Sequence, residues 1–90
     1  MSALQAMADK LADDVLAAEI ELGDDRLYEK VSQVLMAASP TFQEAYMTSI
    51  RVRLAERRGR EYLEQVLAAK RGGTVAPEVP PAEDFTGSGH

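Results

Sequence analysis

The sequence predicts an all-α fold: an antiparallel helical hairpin or small bundle of three helices, oligomeric, with a disordered C-terminal tail. Three observations carry that expectation. Residues 2 to 22 hold neither Gly nor Pro and repeat apolar side chains at helical spacing. Gly23-Asp24-Asp25 and Ser39-Pro40 then interrupt the pattern with residues that stop and restart helices. From Gly72 onward the chain turns to Gly, Pro and acids, which cannot build a core. The expected division is a helical oligomerisation domain over 1–71 and a flexible acidic Pro/Gly-rich tail over 72–90.

In the first helix Leu4, Ala8, Leu11, Val15, Ala18 and Leu22 recur at alternating steps of four and three. That is a heptad seam. A shorter stripe runs through Ala12, Leu16 and Ile20, while Gln5, Asp9, Lys10, Asp13, Asp14, Glu19 and Glu21 take the remaining positions. Two apolar flanks suit two packing neighbours. The seam has two readings: the core side of an ordinary amphipathic helix, or a contact between chains. On the second reading Leu4, Leu11, Val15 and Leu22 are candidate interface residues, joined by Ile50 and Leu54 further on.

Gly23 suits a helix C-cap. Asp24 or Asp25 is expected to cap a second helix over about 25–38, with Leu27, Val31, Val34, Leu35 and Ala38 as its apolar face. The short linker favours antiparallel or steep packing. Ser39 as N-cap and Pro40 at the first helical position open the third helix, expected to run to about Lys70. Phe42, Ala45, Tyr46, Ile50 and Leu54 line its first half, and Tyr62, Leu63, Val66 and Leu67 its second. Gly59 is a weak point, costing about 1 kcal/mol against Ala in a helix interior. It either permits a close helix contact or marks a bend. Arg71-Gly72-Gly73 ends the helix.

Charge is segregated along the chain. Residues 1–50 hold 3 bases against 9 acids, 51–71 hold 7 against 3, and 72–90 hold none against 3, in keeping with the overall −5. Ninety residues make one domain at most, and the core is aliphatic because the chain has no Trp and few aromatics. A domain of this size buries only about 60% of its unfolded surface, so self-association is the usual route to more buried area.

Several chemistries lack their residues. There is no Cys, which removes disulfides and thiolate metal sites and suits a reducing compartment. The one His is His90, far from any helix-borne nucleophile. Asp13 and Asp14 diverge by about 100° on a helix and cannot share an ion. Asp24 and Asp25 read as caps. No phosphate loop or zinc spacing appears. No catalytic residue, metal or cofactor is expected, nor a small-molecule ligand or membrane partner. The N-terminal residues lack a signal-peptide pattern, so a cytoplasmic location is expected.

The arginines are the strongest candidate site. Arg53, Arg57 and Arg60 share one helical stripe, and Arg51 and Arg58, seven apart, form its neighbour. Guanidinium groups there suit phosphates or an acidic protein face. The plainer alternative is a solvated face laced to Glu56, Glu61 and Glu64 by pairs worth a few tenths of a kcal/mol each. The acidic balance opposes tight DNA binding by a monomer, an objection that a ring of subunits with arginines on one rim escapes. In the tail, Glu83-Asp84-Phe85 places one aromatic among acids after a Pro-rich spacer, as a short docking motif does.

The Leu4–Leu22 heptad, the Ser39-Pro40-initiated helix with its arginines and the Pro77–Phe85 tail together resemble a small terminase subunit. The compact kind found in phage-like gene transfer agents is the nearest in layout. The resemblance covers the chain as architecture. It implies a ring-forming, non-catalytic protein that presents DNA to a packaging motor, with its C-terminal segment engaging the large, ATP-hydrolysing terminase subunit. The chain departs from the fuller phage pattern in having no separate DNA-binding domain, so the DNA contact implied is weak and nonspecific. Two alternatives remain: a small helix-turn-helix regulator, with Thr41, Gln43 and Glu44 near bases, or an antitoxin-like helical module that masks an enzyme.

Overall fold

The computed structural model describes residues 2–81. Among these the regular structure is all-helical: α1 spans Ala3–Leu22, α2 Leu27–Ala38 and α3 Pro40–Gly72. The chain forms two compact units, Met1–Ile50 and Arg51–His90, and α3 contributes to both.

Each helix starts and stops for a local reason. Ser2 caps α1, its Oγ accepting the Gln5 N–H at 3.1 Å. Gly23 ends α1 in the left-handed region (φ 68°), where a side chain would be strained. Ser39 caps α3 as expected, accepting the Phe42 N–H at 3.2 Å. Its own N–H closes α2 on the Leu35 carbonyl at 2.7 Å, so one residue serves both helices. Gly73 (φ 72°) ends α3, and the Thr74 N–H bonds back to the Ala69 carbonyl at 2.8 Å. Gly59 neither breaks the helix nor meets a neighbour: both sides are helical and a Cβ there would find open space.

The start of α2 corrects the sequence expectation. Neither Asp24 nor Asp25 caps it; the helix begins after Arg26, which makes no side-chain cap bond. Asp24 instead closes a turn, accepting from the Arg26 N–H at 3.0 Å and from Lys30 Nζ at 2.9 Å. The Lys30 hydrogen bond, then that of the Arg26 amide, holds its carboxyl below the usual carboxylate range. The amide that a cap would take, Tyr28 N–H, donates across to Glu19 Oε2 of α1 at 2.9 Å. One helix therefore caps the next through a tertiary bond.

The core of the first unit is small. Ala8, Ala12, Val15 and Leu16 of α1 and Tyr46, Met47 and Ile50 of α3 are buried. Ala8 and Ala12 are fully covered, so the packing around α1 is close at those positions. Buried polar bonds hold the helices in register. Ser49, 2% exposed, donates to Asp9 Oδ1 at 2.8 Å, tying α3 to α1. Gln43 Nε2 donates to Ser32 Oγ at 2.8 Å, tying α3 to α2. α2 has no fully buried residue, so these polar ties do much to place it.

In the second unit the backbone turns after Gly73, and residues 74–81 run non-helically beside α3. The Tyr62 hydroxyl donates to the Pro77 carbonyl at 3.1 Å. The part of the expected tail that the structure describes is therefore non-helical and hydrogen-bonded to α3 at two points. Glu83, Asp84 and Phe85 lie outside the described residues.

Candidate functional site

The heptad of α1 is divided between two jobs. Ala8 and Val15 are buried inside the chain, as are Ala12, Leu16 and Glu19, and these define the core-facing side. Leu4 and Leu22 stay exposed and Leu11 half-buried. Met7, exposed at 61%, joins that outer stripe. A shallow recess of about 410 Å³ lies there, lined by Ala6, Met7, Lys10, Leu11 and Asp14. Lys10 and Asp14 pair across its rim at 2.9 Å. The Asp14 hydrogen bond and charge raise the Lys10 ammonium pKa above its usual value.

The other candidate interface residues divide likewise. Ile50 is fully buried in the core of the first unit and has no surface to offer another copy, and the same holds for Val15. Leu54 is half-buried. In the second unit Val52, Leu63 and Leu67 are exposed and Ala69 is buried. α2 adds Val34 and Met36, both at least half exposed.

The five arginines all lie on α3 within the second unit. Arg57, Arg58 and Arg60 are exposed, while Arg51 and Arg53 are partly covered. Arg60 is held by Glu56 through Nε at 2.9 Å and Nη2 at 2.6 Å. This is one of the i,i+4 pairs expected from sequence, and at full exposure it adds little stability. Arg51 differs: its Nε is buried and has no hydrogen-bond partner among the described residues. A buried donor left unpaired is unfavourable, so a nearby acceptor would be gained at low cost.

Gln43, a candidate base reader in the helix-turn-helix alternative, is engaged with Ser32 inside the fold. Only Ser39 separates α2 from α3, where that motif uses a turn of about three or four residues. No group of three or more His, Cys, Asp or Glu side chains is placed to hold a metal among the described residues. No helix among them is long and apolar enough to cross a membrane. No protein-family model, curated protein or solved structure matches the chain.

A polar relay is the feature least visible from sequence. Glu19, 8% exposed, accepts the Tyr28 N–H; the Tyr28 carbonyl in turn accepts the Tyr46 hydroxyl at 3.1 Å. Glu19 sits four after Val15 and seven after Ala12, on the buried side of α1, and that spacing is the one signal that could have found it. Burial, with the Glu19 charge adding to it, pushes the Tyr46 phenol well above its ordinary 10.0. Burial chiefly, then Glu29, raises Tyr28 as well.

A pH dependence follows. Unfolded tyrosines ionise near the ordinary 10.0, while the folded chain holds these two protonated to higher pH. Their contribution is complete below the unfolded value and is lost as pH rises above it. Stability, followed by circular dichroism in denaturant, should therefore fall above about pH 10. Tyr46→Phe should flatten that fall. An unchanged alkaline slope in Tyr46→Phe would remove Tyr46 as its source.

Proposed function

We propose that this chain is a non-catalytic helical adaptor that works as an assembly of its own copies. One observation carries the reading: the outer stripe of α1 leaves Leu4 and Met7 exposed at 40% and 61%, beside Leu11, with Leu22, exposed at 66%, at the far end of the helix. Large apolar side chains contiguous on one helix favour a protein partner. Leu4, Leu11 and Leu22, seven and then eleven residues apart, fall on one side of the helix, which suits a second helix of the same kind.

The most concrete form is a small terminase-like packaging subunit. The acidic composition then leaves DNA contact to several copies together, whose Arg51, Arg53, Arg57, Arg58 and Arg60 add up to a weak, nonspecific phosphate-binding surface. The Glu83-Asp84-Phe85 segment recruits the large, ATP-hydrolysing subunit.

Size-exclusion chromatography with light scattering tests the assembly. The parent chain should elute as an oligomer at micromolar concentration. Leu4→Glu with Met7→Glu should give a monomer of unchanged helicity, since exposed positions tolerate charge without loss of fold. A monomeric parent chain sinks the reading.

A further inference from the structure

Among the described residues the second unit holds one helical stretch, 51–72, with residues 74–81 beside it. Those residues meet one flank of the helix, at Tyr62 and Ala69. The next flank keeps its apolar side chains in solvent: Val52 and Leu63 are half exposed or more, and Leu67 more than a third. A helix draws most of its stability from an amphipathic face that is covered, and this one also carries Gly59 in its interior. Cover from a partner therefore stabilises this stretch.

The face has the form of a seam. Val52, Glu56, Gly59, Leu63, Val66 and Lys70 recur at alternating steps of four and three. Leu63 is its centre. Glu56 lies seven residues before it and Lys70 seven after, each about 20° off the same line. An acid and a base set evenly about one leucine are complementary to a copy of themselves. When two copies cross antiparallel at Leu63, each Glu56 comes level with Lys70 of the other copy, about 10 Å from the centre at roughly 1.5 Å per residue. A parallel pair instead sets acid on acid and base on base, which is unfavourable. Arg60 already holds Glu56 through Oε2, which restrains the carboxylate. Gly59 comes level with Leu67 of the other copy, and a Cβ at Gly59 would meet open space, so the helix does not obstruct that leucine.

We propose that residues 52–70 of α3 form a second self-contact: an antiparallel pair of copies that crosses at Leu63 and is closed at both ends by Glu56 and Lys70. It is separate from the α1 contact. A single helix crossing buries less than the roughly 1,200 Å² of a stable interface. At micromolar concentration it therefore strengthens an assembly that α1 has gathered, and pairing by itself takes several hundred micromolar. The two-fold axis keeps like flanks together, so Arg53, Arg57 and Arg60 of the two copies line one side of the pair end to end.

The chain has no Cys, so an introduced one reports alone. In the full-length chain at several hundred micromolar, in a glutathione redox buffer, Leu63→Cys should form disulfide-linked dimers several-fold faster than Glu61→Cys, an exposed site on the far side of the helix. Adding Glu56→Lys to Leu63→Cys should slow the reaction several-fold. Adding Lys70→Glu as well should restore it, with equal helicity by circular dichroism throughout. Equal rates for Leu63→Cys and Glu61→Cys overturn the proposal. So does a Glu56→Lys that leaves the rate unchanged, because a parallel pair only exchanges one like-charge contact for another. The two readings fail separately: a monomeric parent at micromolar concentration sinks the adaptor, while the cross-linking rates alone decide this contact.

Discussion

Tyr46→Ala should bring the Met1–Ile50 unit to the edge of unfolding. Tyr46 is one of the two largest fully buried side chains, and its ring stands in a core otherwise made of small and aliphatic residues. Truncating a buried aromatic to Ala removes about 3–5 kcal/mol, of the order of the whole stability of a small domain. The side chain also ties α3 to α2 through the Tyr28 carbonyl, so the variant loses a bond along with its packing. Thermal melts followed by far-ultraviolet circular dichroism read this directly. Tyr46→Phe is the control: it keeps the ring, drops the hydroxyl, and should cost about 1 kcal/mol. A melting temperature for Tyr46→Ala within a few degrees of the parent would show that the core closes without it.

Glu19→Ala should be the next most damaging change, at about 1–3 kcal/mol, because it strands the Tyr28 N–H at the start of α2. Glu19→Gln keeps an acceptor oxygen of similar reach, so its melting temperature should fall between the parent and Glu19→Ala. This ordering separates the capping bond from the bare loss of a charge. If Gln and Ala variants melt together, the carboxylate acts through charge and the relay from α1 to α3 is not what holds α2.

The helices were largely legible in the sequence because their ends depend on near neighbours. Gly23 stops α1, Ser39 and Pro40 open α3, and Gly73 closes it, each through conformational freedom or a hydrogen bond within a few residues. The start of α2 was misread for the complementary reason. Asp24 and Asp25 satisfy every local rule for a cap, yet the amide at issue is taken by a carboxylate nine residues back on another helix. No local rule sees that bond.

The candidate surfaces were half legible. Heptad spacing marked the apolar side of α1 but not its width. Val15 and Leu4 belong to one seam, yet the first is 5% exposed and the second 40%. The outward share, including Met7, emerged only once the helices were packed. The arginine stripes were visible from spacing alone. The uncompensated Nε of Arg51 and the contact of Pro77 with Tyr62 were not, since both depend on how the chain packs.

The sequence by itself determined an all-helical chain, the positions of its breaks and a segregation of charge. These follow from dihedral preference, capping and periodicity, which act over one or two helical turns. The tertiary structure alone decided which face of α1 is core, that Glu19 and Ser49 are buried, and that the tail starts back along α3. Those outcomes depend on which groups meet across distances the chain spans only by folding. Burial then changes the role of a residue: an acid that would be solvated on an isolated helix becomes the cap that holds the next one in place.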